Sequence, residues 1–428
     1  MKNLIYIFII PLSLNCLAQK TFTHIALINA TAHIGNGKLI ENSLVVINKN
    51  ELEIVSSITG IRLNPAAYDT VIDLQGKHIY PGIINTNNIL GLHDAEEVRA
   101  TRDFSDVGNI NPHVRALIAY NTDNLITPTV KTNGILYTQV TPRGGLISGS
   151  SSLMAIEGWN WEDAVIKADD GIHINFPKAV KRKFTEEEGL FTATNKNYIT
   201  EINYLNKFFE DASVYCLTTN VTEKNIRFES MRGIFNGTAN LYLRAEKAKD
   251  MISAINFTQK FKIKKPVIVG GKESYKITKF LKQNNIPVML NRVNDLPDNV
   301  DDDIDIVFKT PYLLQKDSVL FCLQLEGDME AMQSRNLPFN AGVAVSYGLT
   351  KEEALASITF NAAKILNVDK EIGTLEEGKL ASLIVSEGDI LDIKTNNILL
   401  AYISGKSINL TNNQTALYLK YKTKYGIK

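Results

Sequence analysis

The sequence predicts an α/β protein in which a barrel of alternating strands and helices is inserted into a smaller β module. Between Thr21 and about Tyr80, short alternating or apolar runs are separated by turn residues such as Gly35-Asn36-Gly37, a pattern typical of antiparallel strands. After Pro81, short apolar runs alternate with helical stretches, which indicates a βα-type sheet. A count of about eight such runs favours a barrel over an open sheet.

The strand-like runs of the first module are residues 24–34, 43–49, 52–57 and 70–80. The predicted barrel strands begin with PGIIN and occupy residues 81–85, 135–142, 171–177, 213–219, 265–271, 286–290, 305–309 and 319–326. The stretches with helical periodicity are residues 201–212, 247–261 and 274–285. In such a barrel, chemistry is expected at the carboxyl ends of the strands.

The C-terminal part of the chain begins with a helix and then returns to strands. Thr350 with Glu353 three residues later is a capping-box pattern, which predicts a helix from there to Leu366. Residues 372–392 and 397–410 are strand-like, with a turn at Ser404-Gly405. Because both chain ends are β, we expect one module to contain them, with the barrel inserted between.

Composition limits the possible partners. The chain has 428 residues, 44% hydrophobic and 21% charged, which is enough for a barrel-sized domain and a smaller one. Lys and Arg total 46 and Asp and Glu total 46, so no global basic field would attract nucleic acid. Small molecules or proteins are the expected partners.

The first residues, MKNLIYIFIIPLSLNCLAQK, predict a signal peptide over residues 1–18 with cleavage before Gln19. A membrane anchor is the weaker alternative because the apolar run is short and Pro11 interrupts it. Elsewhere no apolar stretch is long enough to span a bilayer. The mature chain would keep Cys216 and Cys322, which are expected as buried thiols, although a single bridge in an oxidising compartment stays open.

Two stretches carry a family resemblance: GKHIYPGII at residues 76–84, continuing as NTNNILGL, and YGLTKEEALASITFNAAKILNVDKEIGTLEEGKLASLIV at residues 347–385. In this order they resemble the amidohydrolase superfamily, specifically its imidazolonepropionase-like branch. The resemblance implies a distorted TIM-like (β/α)8 barrel over residues 81–372 and a small β-sandwich built from residues 19–80 and 373–428. It also implies a hydrolase of non-peptide C–N bonds, such as those of cyclic amides, that uses Zn²⁺ or another divalent metal.

The positions that the resemblance assigns to metal ligands hold other residues. Asn87 and Ile89 stand at the two histidine positions of the first strand, and Arg244 stands where another ligand histidine is implied. None of the six histidines lies beyond His173, so a shifted register does not restore the set. We therefore expect no metal cofactor. A relocated site at His93, Asp94, Glu96 and Glu97 is the less favoured alternative to a solvated helix start.

Two carboxylates and one loop are the remaining candidates for chemistry. Glu326 and Asp328 follow the last predicted barrel strand and are the catalytic candidates. After the strand at residues 135–142, Arg143, Gly144, Gly145 and Ser148 begin a Gly- and Ser-rich loop whose backbone N–H groups, hydroxyls and guanidinium could bind a ligand. The alternative is an ordinary flexible loop. Trp159 and Trp161 should lie on one side of an extended segment, more consistent with a packed rim than with a ligand platform.

These observations favour an exported, strongly altered member of the superfamily, a pseudoenzyme that binds a small molecule or docks a catalytically intact relative at the barrel mouth. General acid–base catalysis without a metal supplies only about 10² to 10⁴ in rate per group, which is little for amide hydrolysis. The alternative is an active hydrolase with a non-standard metal site or metal-independent acid–base catalysis. An oligomer is possible.

Overall fold

This computed structural model describes residues 23–95, 98–185, 189–218, 221, 223–299 and 301–427. The predicted signal peptide at residues 1–18 lies outside the described residues, as do Glu96 and Glu97.

The elements up to the middle of the barrel follow in chain order. The first strands are β1 (His24–His33), β2 (Leu39–Asn48), β3 (Glu51–Ser57), β4 (Thr70–Asp73), β5 (His78–Pro81) and β6 (Ile83–Asn88). Next come α1 (Ala116–Ala119), α2 (Thr127–Lys131), β7 (Ile135–Val140), β8 (Ile147–Ala155), α3 (Trp161–Ala164), β9 (Val165–Asn175), β10 (Val180–Thr185) and β11 (Gly189–Thr194).

The second half is richer in helices. It contains α4 (Tyr198–Leu217), α5 (Ile226–Glu229), α6 (Arg232–Asn236), β12 (Asn240–Ala245), α7 (Ala248–Lys260), β13 (Pro266–Gly270), α8 (Thr278–Gln283), β14 (Val288–Leu290), α9 (Ile306–Lys316) and β15 (Phe321–Leu323). The chain ends with α10 (Glu330–Gln333), α11 (Leu337–Ser346), α12 (Lys351–Ile358), α13 (Phe360–Leu366), β16 (Leu383–Ser386), β17 (Ile398–Ile403), β18 (Lys406–Ser407) and α14 (Asn413–Tyr425).

The two ends of the chain share one sheet, in the order β18-β17-β16-β5-β1-β2-β3, with β4 beside β1. The joining pair is β16 and β5, which run antiparallel with Leu383 opposite Pro81. Strands β1, β2 and β3 are antiparallel as expected, but β4 and β5 pair with β1 in parallel. Alternate residues of β1 enter separate apolar clusters, Leu27 on one face and Ala26 on the other, so the sheet is packed on both sides.

The barrel sheet has eight strands in the order β6-β7-β8-β9-β12-β13-β14-β15, and a parallel bridge from Thr86 to Gln324 joins the last strand to the first. Strand β8 runs antiparallel to both of its neighbours, while the other pairs are parallel. One reversed strand makes the barrel distorted. The predicted fold class, a distorted TIM-like barrel with a strand-rich module from the termini, is confirmed.

Two predicted barrel strands are helical, and the prediction for them was wrong. Residues 213–219 include the end of α4, which buries Leu205, Phe209 and Ala212, and residues 305–309 include the start of α9, which buries Val307 and Leu314. Both helices bury residues three, four or seven positions apart, so the short apolar runs belong to amphipathic helices rather than to strands.

Two barrel strands were not among the predicted ones, β12 (Asn240–Ala245) and β8, of which β8 has the sequence ISGSSSLMA. Serine and glycine are depleted in strands, and the run reads as a loop. Every residue of β8 is nevertheless buried, because its hydroxyl groups find hydrogen-bond partners inside the barrel, such as Asp170 for Ser151.

Three smaller expectations can also be compared with the structure. The helix expected from Thr350 to Leu366 divides at Thr359 into α12 and α13, and its capping box is present. Both Cys216 and Cys322 are free thiols, with Cys322 buried and Cys216 partly buried. Within the described residues, no helix has the length and apolar character needed to cross a bilayer.

Candidate functional site

The first barrel strand ends in a run of buried amides at the mouth of the barrel. Asn85, Thr86, Asn87 and Asn88 are all fully buried. Asn87 has a φ of 50°, in the left-handed region that asparagine tolerates better than most residues. Its backbone N–H donates to Gln139 Oε1 on β7 at 2.9 Å, which fixes this conformation and directs the side chain toward the centre of the mouth.

Asn87 is the hub of a hydrogen-bonded cluster. Its Nδ2 donates to Glu326 Oε2 at 2.9 Å. Its Oδ1 accepts from Arg143 Nη1 at 3.1 Å and from Arg244 Nη2 at 3.3 Å. The amide therefore joins two cations and one anion that arrive from separate strands of the barrel. Four residues singled out in the sequence thus meet at one point.

Two ion pairs complete this cluster. Arg244 Nε lies 3.1 Å from Glu326 Oε1, and Arg143 Nη2 lies 2.9 Å from Glu330 Oε1. Side-chain exposure is 16% and 20% for the first pair and 13% and 6% for the second, so both pairs are largely removed from solvent. We call these four charged residues and Asn87 the mouth cluster.

The charges of the mouth cluster set its protonation states. Burial alone would raise the pKa of Glu326, but the positive charges of Arg244 and Arg143 outweigh it and the pKa is lowered. Burial raises the pKa of Glu330, and Arg143 only partly offsets this. Burial lowers the pKa of Arg244, yet a guanidinium stays protonated in proteins. Glu326 is therefore a fixed anion held between fixed cations.

The mouth cluster does not fit a divalent metal ion. Two guanidinium groups, which are permanent cations and offer no lone pair, stand where a cation would have to bind. Ile89 packs into the apolar core with 9% exposure and offers no ligand atom. Among the residues that the structure describes, no group of three or more His, Cys, Asp and Glu side chains could hold a metal ion.

The other residues considered as metal ligands or catalytic groups do not belong to the mouth cluster. His93 packs edge-on against Phe104, and the carboxylate of Asp94 accepts from Asn124 Nδ2 at 2.6 Å. The rest of that proposed relocated site, Glu96 and Glu97, lies outside the described residues. Asp328 is exposed beyond Gly327 and is not part of the mouth cluster. Glu330, two residues further on, takes the place that the sequence analysis gave to Asp328.

The predicted ligand loop is shorter and more tightly packed than a flexible loop. Gly144 and Gly145 have φ of 88° and 63°, and a Cβ on Gly145 would lie 2.9 Å from the carbonyl oxygen of Asn109. Asn175 Nδ2 donates to Gly145 O at 2.6 Å and to Ser148 Oγ at 3.2 Å. The Oδ1 of Asn175 accepts from Arg244 Nη1 at 3.0 Å. Asn175, which the sequence did not single out, thus ties this loop to the mouth cluster.

A small polar cavity opens beside the mouth cluster. It has a volume of about 210 Å³ and lies at the carboxyl ends of β12, β13 and β14, lined among others by Glu246, Lys272, Asn291 and Arg292. Arg292 Nη2 donates to Glu326 O at 2.7 Å, and Asn291 Oδ1 accepts from Glu326 N at 3.1 Å. The wall that faces Glu326 is therefore shared by the cavity and the mouth cluster.

Glu246 is a carboxyl group that the sequence analysis missed. Burial raises its pKa, and its Oε2 accepts from the backbone N–H of Lys272 at 3.0 Å. Gly270 makes room for it, because a Cβ there would lie 2.2 Å from Glu246 Oε1. The signal available in the sequence was position alone: Glu246 directly follows the strand that carries Arg244.

Below the mouth, the barrel interior holds a second buried network. The carboxylate of Asp170 accepts from Ser151 Oγ at 2.7 Å and from Gln139 Nε2 at 2.9 Å, and burial raises its pKa. His173 Nε2 lies 2.9 Å from Ser151 Oγ, and its ring stacks on Tyr242. These groups are not a catalytic triad, because Asp170 contacts Ser151 rather than His173 and all of them are buried from any substrate. They support Gln139, which in turn holds Asn87.

The two tryptophans do not lie on the same side as expected. Trp159 is 94% exposed, whereas Trp161 begins the short helix α3 and packs against the barrel core. The segment turns at Asn160, whose side chain caps α3, so strand-like alternation does not hold there.

Comparison with known proteins agrees with this architecture. The model of the amidohydrolase family matches residues 294–408. The crystal structure of an amidohydrolase from Thermotoga maritima MSB8 superposes with a TM-score of 0.77 at 22% identity, covering 90% of this chain and 99% of that one. Among curated proteins, no sequence matches this chain.

More distant structural neighbours have the same fold. Molinate hydrolase has a TM-score of 0.55 at 13% identity, covering 92% of this chain and 96% of its own. Ochratoxinase from A. niger has a TM-score of 0.54 at 14% identity, covering 91% of this chain and 96% of its own. At these identities the likeness establishes the fold alone. The chain has the amidohydrolase fold, and an amidohydrolase-family domain is recognisable in residues 294–408.

Proposed function

We propose that this protein is an exported pseudoenzyme of the amidohydrolase superfamily, related to the imidazolonepropionase-like branch, that binds a small molecule or a partner at the barrel mouth without a metal centre. The observation that carries the proposal is the pairing of Arg244 with Glu326 and of Arg143 with Glu330 around Asn87. The paired side chains occupy the positions at which such a fold could hold a metal cation and its ligands.

The charges of the mouth cluster support the proposal that it holds no metal ion. A divalent cation placed near Asn87 would face two guanidinium groups that cannot lose their protons, and only Glu326 and Glu330 would attract it. Freeing those carboxylates would break buried ion pairs, and breaking a buried pair costs about 3–5 kcal/mol. The paired state is therefore the stable state of the mouth.

The cavity beside the cluster supports a small-molecule ligand over a bulky one. A volume of about 210 Å³ corresponds to about seven water molecules at about 30 Å³ each, which suits a small molecule. Its lining offers both signs of charge, Glu246 and Asp298 against Lys272 and Arg292, which suits a small, polar, zwitterionic or neutral molecule. Docking of a catalytically intact relative over the same mouth is the alternative mode of binding.

The experiment is a metal and activity measurement on untagged protein. We expect inductively coupled plasma mass spectrometry to find no stoichiometric metal after incubation with Zn²⁺ or Mn²⁺ and dialysis. Hydantoin, dihydrouracil and an Xaa-Pro dipeptide should not be hydrolysed faster in the presence of metal. As a matched variant, Arg244→His removes one fixed cation and should not by itself bring in a metal. Stoichiometric metal together with metal-dependent hydrolysis in the unmodified protein would contradict the proposal.

A second candidate function is favoured by one observation, the raised pKa of Glu246 beside a solvent cavity. Burial favours the protonated form of Glu246, the form that a general acid needs, whereas the lowered pKa and the two cationic neighbours of Glu326 favour its ionised form. The protein would then be a slow, metal-independent hydrolase.

Glu246→Gln tests this candidate. Any metal-independent hydrolysis should fall about 10²-fold or more in the variant, and the alkaline limb of its pH profile should disappear. A rate that is the same in both proteins would assign the activity to another source and remove this candidate.

A further inference from the structure

The last helix of the chain, α14, is complete yet buries none of its residues. Asn412 caps its start by accepting from the N–H of Thr415, and Gly426 closes its end in the left-handed conformation. A helix of 13 residues is only marginally stable in water without a surface to pack against. The two caps stabilise the helix ends, so α14 presents a formed and uncovered surface to a partner.

One face of α14 carries a stripe of three tyrosine side chains and one leucine. Leu417, Tyr421 and Tyr425 are spaced four residues apart and Tyr418 adjoins them, so the four lie on one side of the helix. Their exposure is 53%, 49%, 65% and 61%, respectively. We call these four residues the tyrosine stripe. Three of its four members carry a polar hydroxyl at the end of an apolar ring.

The charge of this segment is uniformly positive. Residues 407–428 contain four lysines and no Asp or Glu, in a chain whose net charge is zero. At 100° per residue, Lys424 and Lys422 fall on opposite edges of the tyrosine stripe. Lys424 Nζ lies 5.3 Å from the ring centre of Tyr425, and Lys422 Nζ lies 6.0 Å from that of Tyr418. The surface that complements α14 is therefore anionic on both sides of an apolar strip.

Trp159 belongs to the same end of the molecule. It lines a cavity of about 680 Å³ with Ile403 and Ile408, and the chain leads from Ile408 directly into α14. The segment around α2 contacts both regions: Thr122 Oγ1 donates to Trp159 O at 3.3 Å, and Thr129 Oγ1 donates to Gln414 Oε1 at 3.2 Å. An almost fully exposed tryptophan thus accompanies the tyrosine stripe.

We propose that α14 and Trp159 form a docking surface for the headgroup layer of an anionic phospholipid bilayer. Tyrosine and tryptophan rings accumulate at the level of the lipid headgroups, and lysine side chains beside them extend to the phosphates. A helix with an apolar strip flanked by lysines lies in the plane of such an interface.

This docking would direct the barrel mouth away from the bilayer. Ile156 N, three residues before Trp159, donates to Leu136 O near the start of β7. Asn87 lies at the end of β6, which is parallel to β7, and therefore at the opposite end of the barrel. The mouth cluster and the cavity next to it would stay open to the aqueous phase.

The test is flotation of the full chain with vesicles of phosphatidylcholine alone or mixed with phosphatidylglycerol. We expect the protein to float only with the anionic vesicles and to be released at high salt. Lys420→Gln, Lys422→Gln and Lys424→Gln together should weaken binding by about a hundredfold to a thousandfold, since each lysine near an anionic surface contributes about a factor of five to ten. Tyr418→Ser, Tyr421→Ser and Tyr425→Ser together should abolish flotation.

The matched control changes Lys249, Lys279 and Lys282 to Gln, three exposed lysines on α7 or α8. This variant should float like the unmodified protein. The α14 variants should keep the unfolding midpoint of the unmodified protein because α14 buries none of its residues, and the control should keep it because its three lysines are exposed. An unchanged midpoint shows that a variant is folded. The N-terminal segment is identical in every variant, so differences between them report on α14.

Equal flotation of the lysine variant and the control would overturn the proposal, as would no flotation of the unmodified protein. If the tyrosine variant instead changed the sedimentation coefficient of the protein without any vesicle binding, α14 would be a surface for self-association, and the lipid proposal would fail.

Discussion

Arg244→Met is the sharpest perturbation of the mouth cluster. It removes the partner that lies 3.1 Å from Glu326 and leaves that carboxylate in a site where its side chain is only 20% exposed. Breaking one side of a buried pair costs about 3–5 kcal/mol, and Arg143, which also lowers the pKa of Glu326, remains. We therefore expect a loss near the lower end, about 3 kcal/mol at neutral pH.

The assay is urea unfolding of the unmodified and variant proteins, followed by tryptophan fluorescence, with Trp161 packed against the barrel core as the probe. A matched double variant, Arg244→Met with Glu326→Met, removes both charges at similar volume. Replacing a buried ion pair by apolar residues is often neutral or stabilising, so the double variant should recover most of the loss.

The loss should also depend on pH. The pKa of Glu326 is lowered in the folded protein, so its contribution to stability is fully present above the ordinary pKa of about 4.5 and is lost as pH falls through the folded pKa. In Arg244→Met the carboxyl takes up a proton more easily, and the difference between the two proteins should shrink as pH falls below about 4.5. A loss under about 1 kcal/mol, or a double variant less stable than the single one, would refute this account of the mouth cluster.

Three further predictions concern other parts of the chain. Asp298, paired with Lys272 and Lys247, has its pKa lowered from 3.8 to about 2, although burial alone would raise it. At about 1.4 kcal/mol per pKa unit, Asp298→Asn should cost about 2 kcal/mol at neutral pH and little near pH 2, as measured by unfolding at both values. Gly270→Ala should cost more than about 1–2 kcal/mol of unfolding free energy, because φ is 96° and the new Cβ would lie 2.2 Å from Glu246 Oε1. Adding Glu246→Ala should restore part of that stability. No recovery would argue against the steric cause. Thr350→Ala should cost about 1 kcal/mol by removing the α12 capping box, whereas Thr350→Ser should be nearly neutral.

The sequence predicted the alternation of strands and helices well where the apolar residues had one clear period. Strand β1 was found as an apolar run next to turn residues, and helix α7 was found because its buried residues repeat at helical spacing over most of its length. The end of α4 and the start of α9 were misassigned because a run of three or four apolar residues is compatible with either period. Only a longer pattern of apolar residues, or the packing itself, distinguishes a helix from a strand.

The mouth cluster was predicted in part. Asn87, Arg143, Arg244 and Glu326 were singled out separately and do come together. The ion pair of Arg143 with Glu330 was not foreseen, since an arginine on a glycine-rich segment equally suggests a ligand contact. Pairing is a property of distance, and residues 143 and 330 become neighbours only through closure of the barrel. Asn175, the last residue of β9, and Glu246, the first residue after β12, offered only their position at a strand end as a signal.

The pairing of β5 with β16 also affects when the protein can fold. These strands join residues about 300 positions apart, so the sheet of the terminal module cannot be completed until nearly the whole chain has been synthesised. The loop that this pairing closes is the entire barrel, and closing it costs conformational entropy that only an already compact barrel reduces. The barrel should therefore form first and the module last.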